Sequence, residues 1–358
     1  MSRINVPSFP SSIIHFSIFK LLTKFRQSYE LSRSDNKCPK MANEKSSQRS
    51  TYSVAQLNQY YERISLPISH RNATEKDGLP FLTVLTKYQM AGIPFENLEL
   101  HYSPHHNISL DPQHLFQKMI GRGTNRGGYC MENNRLFGTV LRSLGFIVYS
   151  VGARVSEAVQ PVSTTPEWSG PKYDGWNHML NIVTIDGQKY LVDVGFGASG
   201  SPIRPLPLVH GSVSTNIGVQ KSRLLRQCIL QHTDSTQQLW CFDHSNDGGL
   251  TWTPTYAFTE MEFFPEDFAI MNYWTSTHPT SWFTRMIVVV KTLLEDGEVV
   301  GHVTLLQKDV KRRIRGRTEV LDTLSSEEER VQALSQWFGI TLSEEEINGI
   351  RGMTAELL

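Results

Sequence analysis

Apolar residues recur every three to four positions over the first part of the chain and every two over the middle. Val54, Leu57, Tyr60, Tyr61 and Ile64 share one helical face. Phe81, Leu82, Leu85 and Tyr88 share another, which stops at Gly92 and Pro94. A third set, Leu136, Phe137, Val140, Leu141 and Leu144, ends at Gly145. From there the period changes. Residues 146–155 alternate and are rich in β-branched side chains, which predicts a strand. Residues 178–185 and 188–194 flank Asp186-Gly187, the dipeptide that favours a type I′ turn, and predict a hairpin. Residues 286–294 and 298–308 predict a second hairpin across Asp296-Gly297. Shorter strands are expected at 224–231 and 239–243, a turn at 246–249, a helix at 265–274 and a polar turn at 275–281. The chain closes in helix, with Ser325/Glu328 and Ser343/Glu346 as capping boxes and Gly339 as a stop between them. Helices, then strands, then a mixture imply an α+β protein of about three units.

Composition narrows the class. Lys+Arg and Asp+Glu number 35 each, which gives no electrostatic case for nucleic acid or an anionic membrane surface. A small-molecule substrate is expected instead. No run approaches the ~20 apolar residues of a membrane span. Cys38, Cys130, Cys228 and Cys241 are too scattered for a disulfide framework, and no zinc motif occurs, so no metal is expected. This usage fits a reducing compartment, and we expect a cytoplasmic monomer. Residues 1–40 carry Arg3, Lys20, Lys24 and Arg26 with no acid before Glu30. A mitochondrial transit peptide, a disordered extension and a start upstream of a functional Met41 are the competing readings. Residues 156–175, rich in Ser, Thr, Pro and Gly, read as a long surface loop.

One cysteine stands apart. In Arg126-Gly127-Gly128-Tyr129-Cys130-Met131-Glu132, Cys130 follows a paired-glycine turn and opens the third helical pattern. At a helix N-terminus the orphan N–H groups and the positive end of the dipole stabilise a thiolate, the nucleophilic form. A buried structural cysteine is the competing reading. The first hairpin supplies a base. A two-residue loop pairs Ile185 with Gln188 and sets Asp193 opposite Leu180, one diagonal step from His178 on the same face. Asp193 interrupts an apolar run, where a half-buried carboxylate needs a partner, and His178 would be one. A hydrogen-bonded core histidine and a strand-end cap are the plainer alternatives.

These residues resemble a known family. Arg126-Gly127-Gly128-Tyr129-Cys130 is similar to the R-G-G-x-C signature of the arylamine N-acetyltransferases. Pro94-Phe95-Glu96-Asn97-Leu98 resembles their second hallmark, and Val192-Asp193-Val194-Gly195-Phe196-Gly197 their aspartate segment. The resemblance runs from about Tyr52 to the C-terminus. It implies a helical bundle (41–145), a β-barrel (146–255) and a linker helix with an α/β lid (256–358), and a Cys130–His178–Asp193 triad. It implies ping-pong acyl transfer from acetyl-CoA to an arylamine, arylhydrazine or N-hydroxyarylamine through an acyl-cysteine. Malonyl-CoA as donor, or a Cys-His-Asp hydrolase, is the alternative. By resemblance Arg126 pairs with Glu96, Phe95 and Phe196 line the aryl pocket, and Asp174, Gly175, Trp274 and Thr280 contact coenzyme A. The N-terminal extension, the long loop before His178 and the absence of an alignable C-terminal tail depart from the family pattern.

Overall fold

The computed structural model describes residues 52–160, 172–197 and 200–358. The proposed targeting segment and most of the long loop lie outside the described residues. Eight α-helices are described: α1 (Val54–Arg63), α2 (Gly78–Gly92), α3 (Glu99–Tyr102), α4 (Pro112–Phe116), α5 (Cys130–Ser143), α6 (Pro265–Thr277), α7 (Glu327–Ala333) and α8 (Glu344–Gly349). The apolar faces of α1, α2 and α5 meet in one core around Tyr60, Leu82, Leu136 and Phe137. That burial is what stabilises helices of this length.

The central sheet is eight-stranded and antiparallel, and it coils into a nearly closed barrel. In chain order its strands are β2 (Ile147–Val155), β3 (His178–Ile185), β4 (Gln188–Val192), β5 (Leu206–Pro207), β6 (Ser212–Thr215), β7 (Lys221–Gln227), β8 (Leu239–Ser245) and β9 (Thr253–Phe258). Alternate residues point inward; Leu180, Ile182, Leu191, Phe242 and Tyr256 fill the interior. The first hairpin has the expected register, Ile185 opposite Gln188 and Asn181 opposite Val192. Asp186 and Gly187 both take positive φ (49° and 80°), as a type I′ turn demands. Asp193 falls one residue beyond β4 and is released from the ladder.

A second antiparallel sheet joins β1 (Phe95–Glu96), β10 (Val288–Glu295), β11 (Glu298–Leu306), β12 (Asp309–Ile314) and β13 (Arg317–Thr323), in that order. Phe95-Glu96, in the motif after the Pro94 stop, thus forms an edge strand. Phe95 also bridges to Gly128, tying the cysteine turn to the C-terminal sheet. One face of this sheet (Val289, Val303, Leu305, Val310) packs on Leu334, Phe338 and Ile350; the other carries Val288 and Val290 toward Cys130. The structure is thus α+β, with three corrections to detail. Helix α6 runs to Thr277 into the expected turn. The cap of α7 is Ser326, accepting from Glu329, one residue later than expected. Strands β12 and β13 go unannounced in the sequence because Lys311, Arg312, Arg313, Arg315 and Arg317 obscure the alternation around Val310. Among the described residues, no helix is long and apolar enough to cross a membrane.

Candidate active site

Cys130 is the first residue of α5, and the turn that delivers it is clamped. Gly127 lies so close to Pro94 that a Cβ there would collide with the Pro94 carbonyl oxygen. Glu96 holds the same turn. Its Oε1 accepts from Gly127 N–H at 3.1 Å and Arg126 Nε at 3.0 Å, and its Oε2 accepts from Leu98 N–H at 2.5 Å. The Arg126–Glu96 pair expected from the sequence is present. Arg126 also reaches Glu346 at 2.6 Å and Glu99 at 3.3 Å. Lys118 sits 2.8 Å from Glu132, whose other oxygen accepts from Tyr129 N–H at 3.0 Å.

Burial alone would raise the Glu96 carboxyl, and that is the largest influence on it. The charges of Arg126 and Lys118 and the hydrogen bonds to it win, and hold it at about 2. Glu132 goes the other way. Burial pushes it up to about 7, opposed by Lys118 and assisted by Glu96.

The hairpin brings the second group. His178 opens β3, and its Nε2–H donates to Asp193 Oδ2 at 2.8 Å with both side chains buried. Asn134, one turn along α5 from Cys130, fixes the carboxylate. Its Nδ2 donates to Asp193 Oδ1 at 2.9 Å and to the Met179 carbonyl at 2.7 Å, and its Oδ1 accepts from Val194 N–H at 3.1 Å. Gly195 N–H also donates to Asp193 Oδ1, at 2.9 Å. A Cβ on Gly195 would strike the backbone of Cys130, so the helix start and the aspartate segment are in direct contact.

Cys130 Sγ lies 3.7 Å from the carbonyl oxygen of Asn177, the residue before His178. Nε2 is spent on Asp193, so Nδ1 is the imidazole nitrogen left for the cysteine. The ring is walled by Phe196 (centroids 5.6 Å apart) and Tyr256 (5.2 Å). Burial disfavours the imidazolium and is the largest influence. Asp193, by charge and hydrogen bond, and then Cys130 outweigh it, and His178 is pushed up to about 10. Asp193 itself is held below the usual carboxylate range: burial would raise it, but His178, Asn134 and Gly195 pull it down further.

Cys130, Asn177 and His178 open onto a cavity of about 420 Å³, with Phe95 and Phe196 in its wall. That places five of the sequence-predicted residues around one space, Asp193 standing behind His178. The other four do not line it. Asp174 accepts hydrogen bonds from Gln160 and Asn177, which do line it. Gly175 has open space around its Cα, so nothing within the protein requires glycine there. Trp274 is 41% exposed and stacks on His278, and the Thr280 hydroxyl bonds the same imidazole at 2.8 Å. Trp282 and Phe283, just beyond them, do line the cavity. Sequence reading passed over Asn134. The available signal was a polar residue four positions after Cys130, hence on the same helix face.

A model of an N-acetyltransferase family matches residues 78–347. The chain is 42% identical over 319 residues to the N-malonyltransferase FDB2 of Fusarium pseudograminearum, covering 84% of this chain and 92% of that one. It is 32% identical over 232 residues to arylamine N-acetyltransferase 2 of Macaca mulatta, covering 63% and 73%. The arylamine N-acetyltransferase of Mycobacterium marinum, solved in complex with CoA, superposes with a TM-score of 0.64 at 26% identity. That match covers 83% of this chain and 99% of that one.

Proposed function

The chain belongs to the arylamine N-acetyltransferase family, and from that premise we propose that it moves an acyl group from an acyl-CoA thioester to the nitrogen of an aromatic amine or hydrazine through an acyl-cysteine on Cys130. The observation that carries this is the meeting of Cys130 with a buried, hydrogen-bonded His178–Asp193 pair at a cavity walled by Phe95 and Phe196.

In the resting site the proton resides on His178, and Cys130 acts as thiolate. Attack on the thioester carbonyl forms the carbon–sulfur bond. Collapse expels coenzyme A, which takes the proton from His178 as it leaves. With the sulfur acylated, the pull of Cys130 on His178 is gone, so the imidazole binds a proton less tightly and can serve as a base. The amine attacks the acyl carbon, His178 removes its proton, and the sulfur leaves as thiolate. Asp193 holds the ring so that Nδ1 faces the sulfur throughout. Among the described residues Cys130, Cys228 and Cys241 are not disulfide-bonded, which suits a reducing, cytoplasmic setting.

Acetyl-CoA is the family's default donor. The similarity to an N-malonyltransferase favours malonyl-CoA, so both donors enter the test. Protein incubated with either thioester alone should gain the corresponding acyl mass and release coenzyme A, and Cys130→Ser should do neither. Absence of any Cys130-dependent adduct with both donors defeats the proposal.

A further inference from the structure

The C-terminal sheet presents a graded wall to the cavity. Strand alternation puts Val288 and Val290 of β10, Leu306, Thr304 and His302 of β11, and Lys311 and Arg313 of β12 on one face. The register sets Thr304 beside Lys311 and His302 beside Arg313. The wall is apolar next to Cys130, hydroxylic in the middle and cationic at β12. Asp309 belongs to the same wall, with its carboxylate 3.5 Å from Lys311 Nζ. Lys311, Arg313 and Asp309 thus line one wall of the cavity. Arg313 also contacts the Asn246 side chain. His302 adds no charge at neutral pH, because burial and then Arg313 lower it to about 4.

We propose that Lys311 and Arg313 receive the free carboxylate of a carboxyacyl-CoA donor, of which malonyl-CoA is the probe, and so set donor choice. This rests on the acyl-transfer reading above. Strand spacing puts β12 about 10 Å from β10, and Lys311 and Arg313 line the same cavity as Cys130. A malonyl carboxylate lies one methylene from the thioester carbonyl that Cys130 attacks, inside the same cavity. The coenzyme's phosphates lie a whole pantetheine arm away from that carbonyl. An acetyl group offers these cations nothing.

The test is the second-order rate of Cys130 acylation, without acceptor, for malonyl-CoA and acetyl-CoA. The malonyl-to-acetyl rate ratio should fall about tenfold for Lys311→Gln or Arg313→Gln, and further for the pair. That is the lower range for a charge-assisted hydrogen bond, in keeping with partial exposure. Arg313→Lys should keep most of the ratio. Lys311 is exposed, so its substitution reads out even where an Arg313 variant folds poorly. An unchanged ratio overturns the proposal, whether neither donor responds or both slow together, as they would if the cations held coenzyme phosphates. A wild-type protein that reacts with acetyl-CoA alone overturns it too. A wild-type protein that forms no Cys130 adduct with either donor defeats the underlying acyl-transfer reading instead.

Discussion

Two buried charge networks meet at the Gly127-Gly128-Tyr129 turn, and they differ in whether a proton can move. Behind the turn, Glu96 binds Arg126 and the backbone, and Lys118 binds Glu132. In front of it, Asp193 binds His178 beside Cys130. Both use buried carboxylates saturated by hydrogen bonds. Arg126 cannot release its proton in a folded protein, whereas an imidazole can. The Arg126 network also contributes no residue to the cavity wall, while His178 does. Ionic chemistry of one kind thus serves as a clamp where the charge is fixed and as a proposed proton relay where it is movable.

The hardest test removes the charge from the movable network. Asp193→Asn keeps the shape, but burial then acts on His178 almost unopposed, and its pKa should fall from about 10 to well below that value. Acyl transfer should drop about 10³–10⁴-fold in kcat, the scale seen when a triad aspartate is neutralised. Stability should suffer less, because neutral imidazole tolerates burial. His178 in the folded state holds its proton more tightly than its ordinary 6.5. The pair's stabilisation is therefore complete below about 6.5 and lost as pH rises through about 10. ¹⁵N NMR of the ring would check this; a variant His178 still titrating near 10 contradicts the assignment.

Neutralising the fixed network should do the reverse. Glu96→Gln leaves Arg126 with a buried charge and only Glu99 and Glu346 to meet it. We expect a loss of about 3 kcal/mol in denaturant unfolding, since breaking one partner of a buried pair strands the other. The kcat should stay within about tenfold, because no reacting atom is touched. Glu96 lies at about 2 against an ordinary 4.5. Its contribution is present above 4.5 and lost as pH falls through 2, so the variant should be less sensitive than wild type to acid over that window. Equal acid sensitivity would mean that the clamp is not where acid acts.

Much of this was legible in the sequence, for a physical reason. The Asp186-Gly187 turn fixes the hairpin register, and register fixes which side chains share a face, so His178 and Asp193 could be paired by counting. The helix pattern after Gly127-Gly128 located Cys130 in the same way. Period carries no information about which elements touch across the fold. Nothing local joins Phe95-Glu96 to β10, or brings Asn134 to Asp193 across 59 positions. The cations of β12 were hidden by their own chemistry: a run of Lys and Arg reads as solvated surface, and only the ladder to β11 shows that Lys311 and Arg313 share a face with Thr304 and His302.

Glu132 is where the division between fixed and movable charge is weakest, and its predicted effect is the smallest. It belongs to the clamp, yet burial raises it from 4.5 to about 7. A carboxyl raised on folding stabilises the native state below its unfolded pKa and loses that contribution as pH rises through the folded one. Glu132 should therefore make wild type about 1 kcal/mol more stable at pH 6 than at pH 8, on top of what the His178–Asp193 pair loses over the same window, and Glu132→Gln should remove that part of the slope. The glutamine keeps an oxygen for Tyr129 N–H, so the turn should survive. Lys118 would then rely on Glu99 at 3.5 Å and Glu96 at 4.0 Å. If the slope is as steep in Glu132→Gln as in wild type, the titrating groups lie outside the clamp, and the clamp's charges are as fixed as Arg126. If the Glu132 part disappears together with acyl transfer, proton occupancy behind the turn is felt at Cys130, and the two networks act as one.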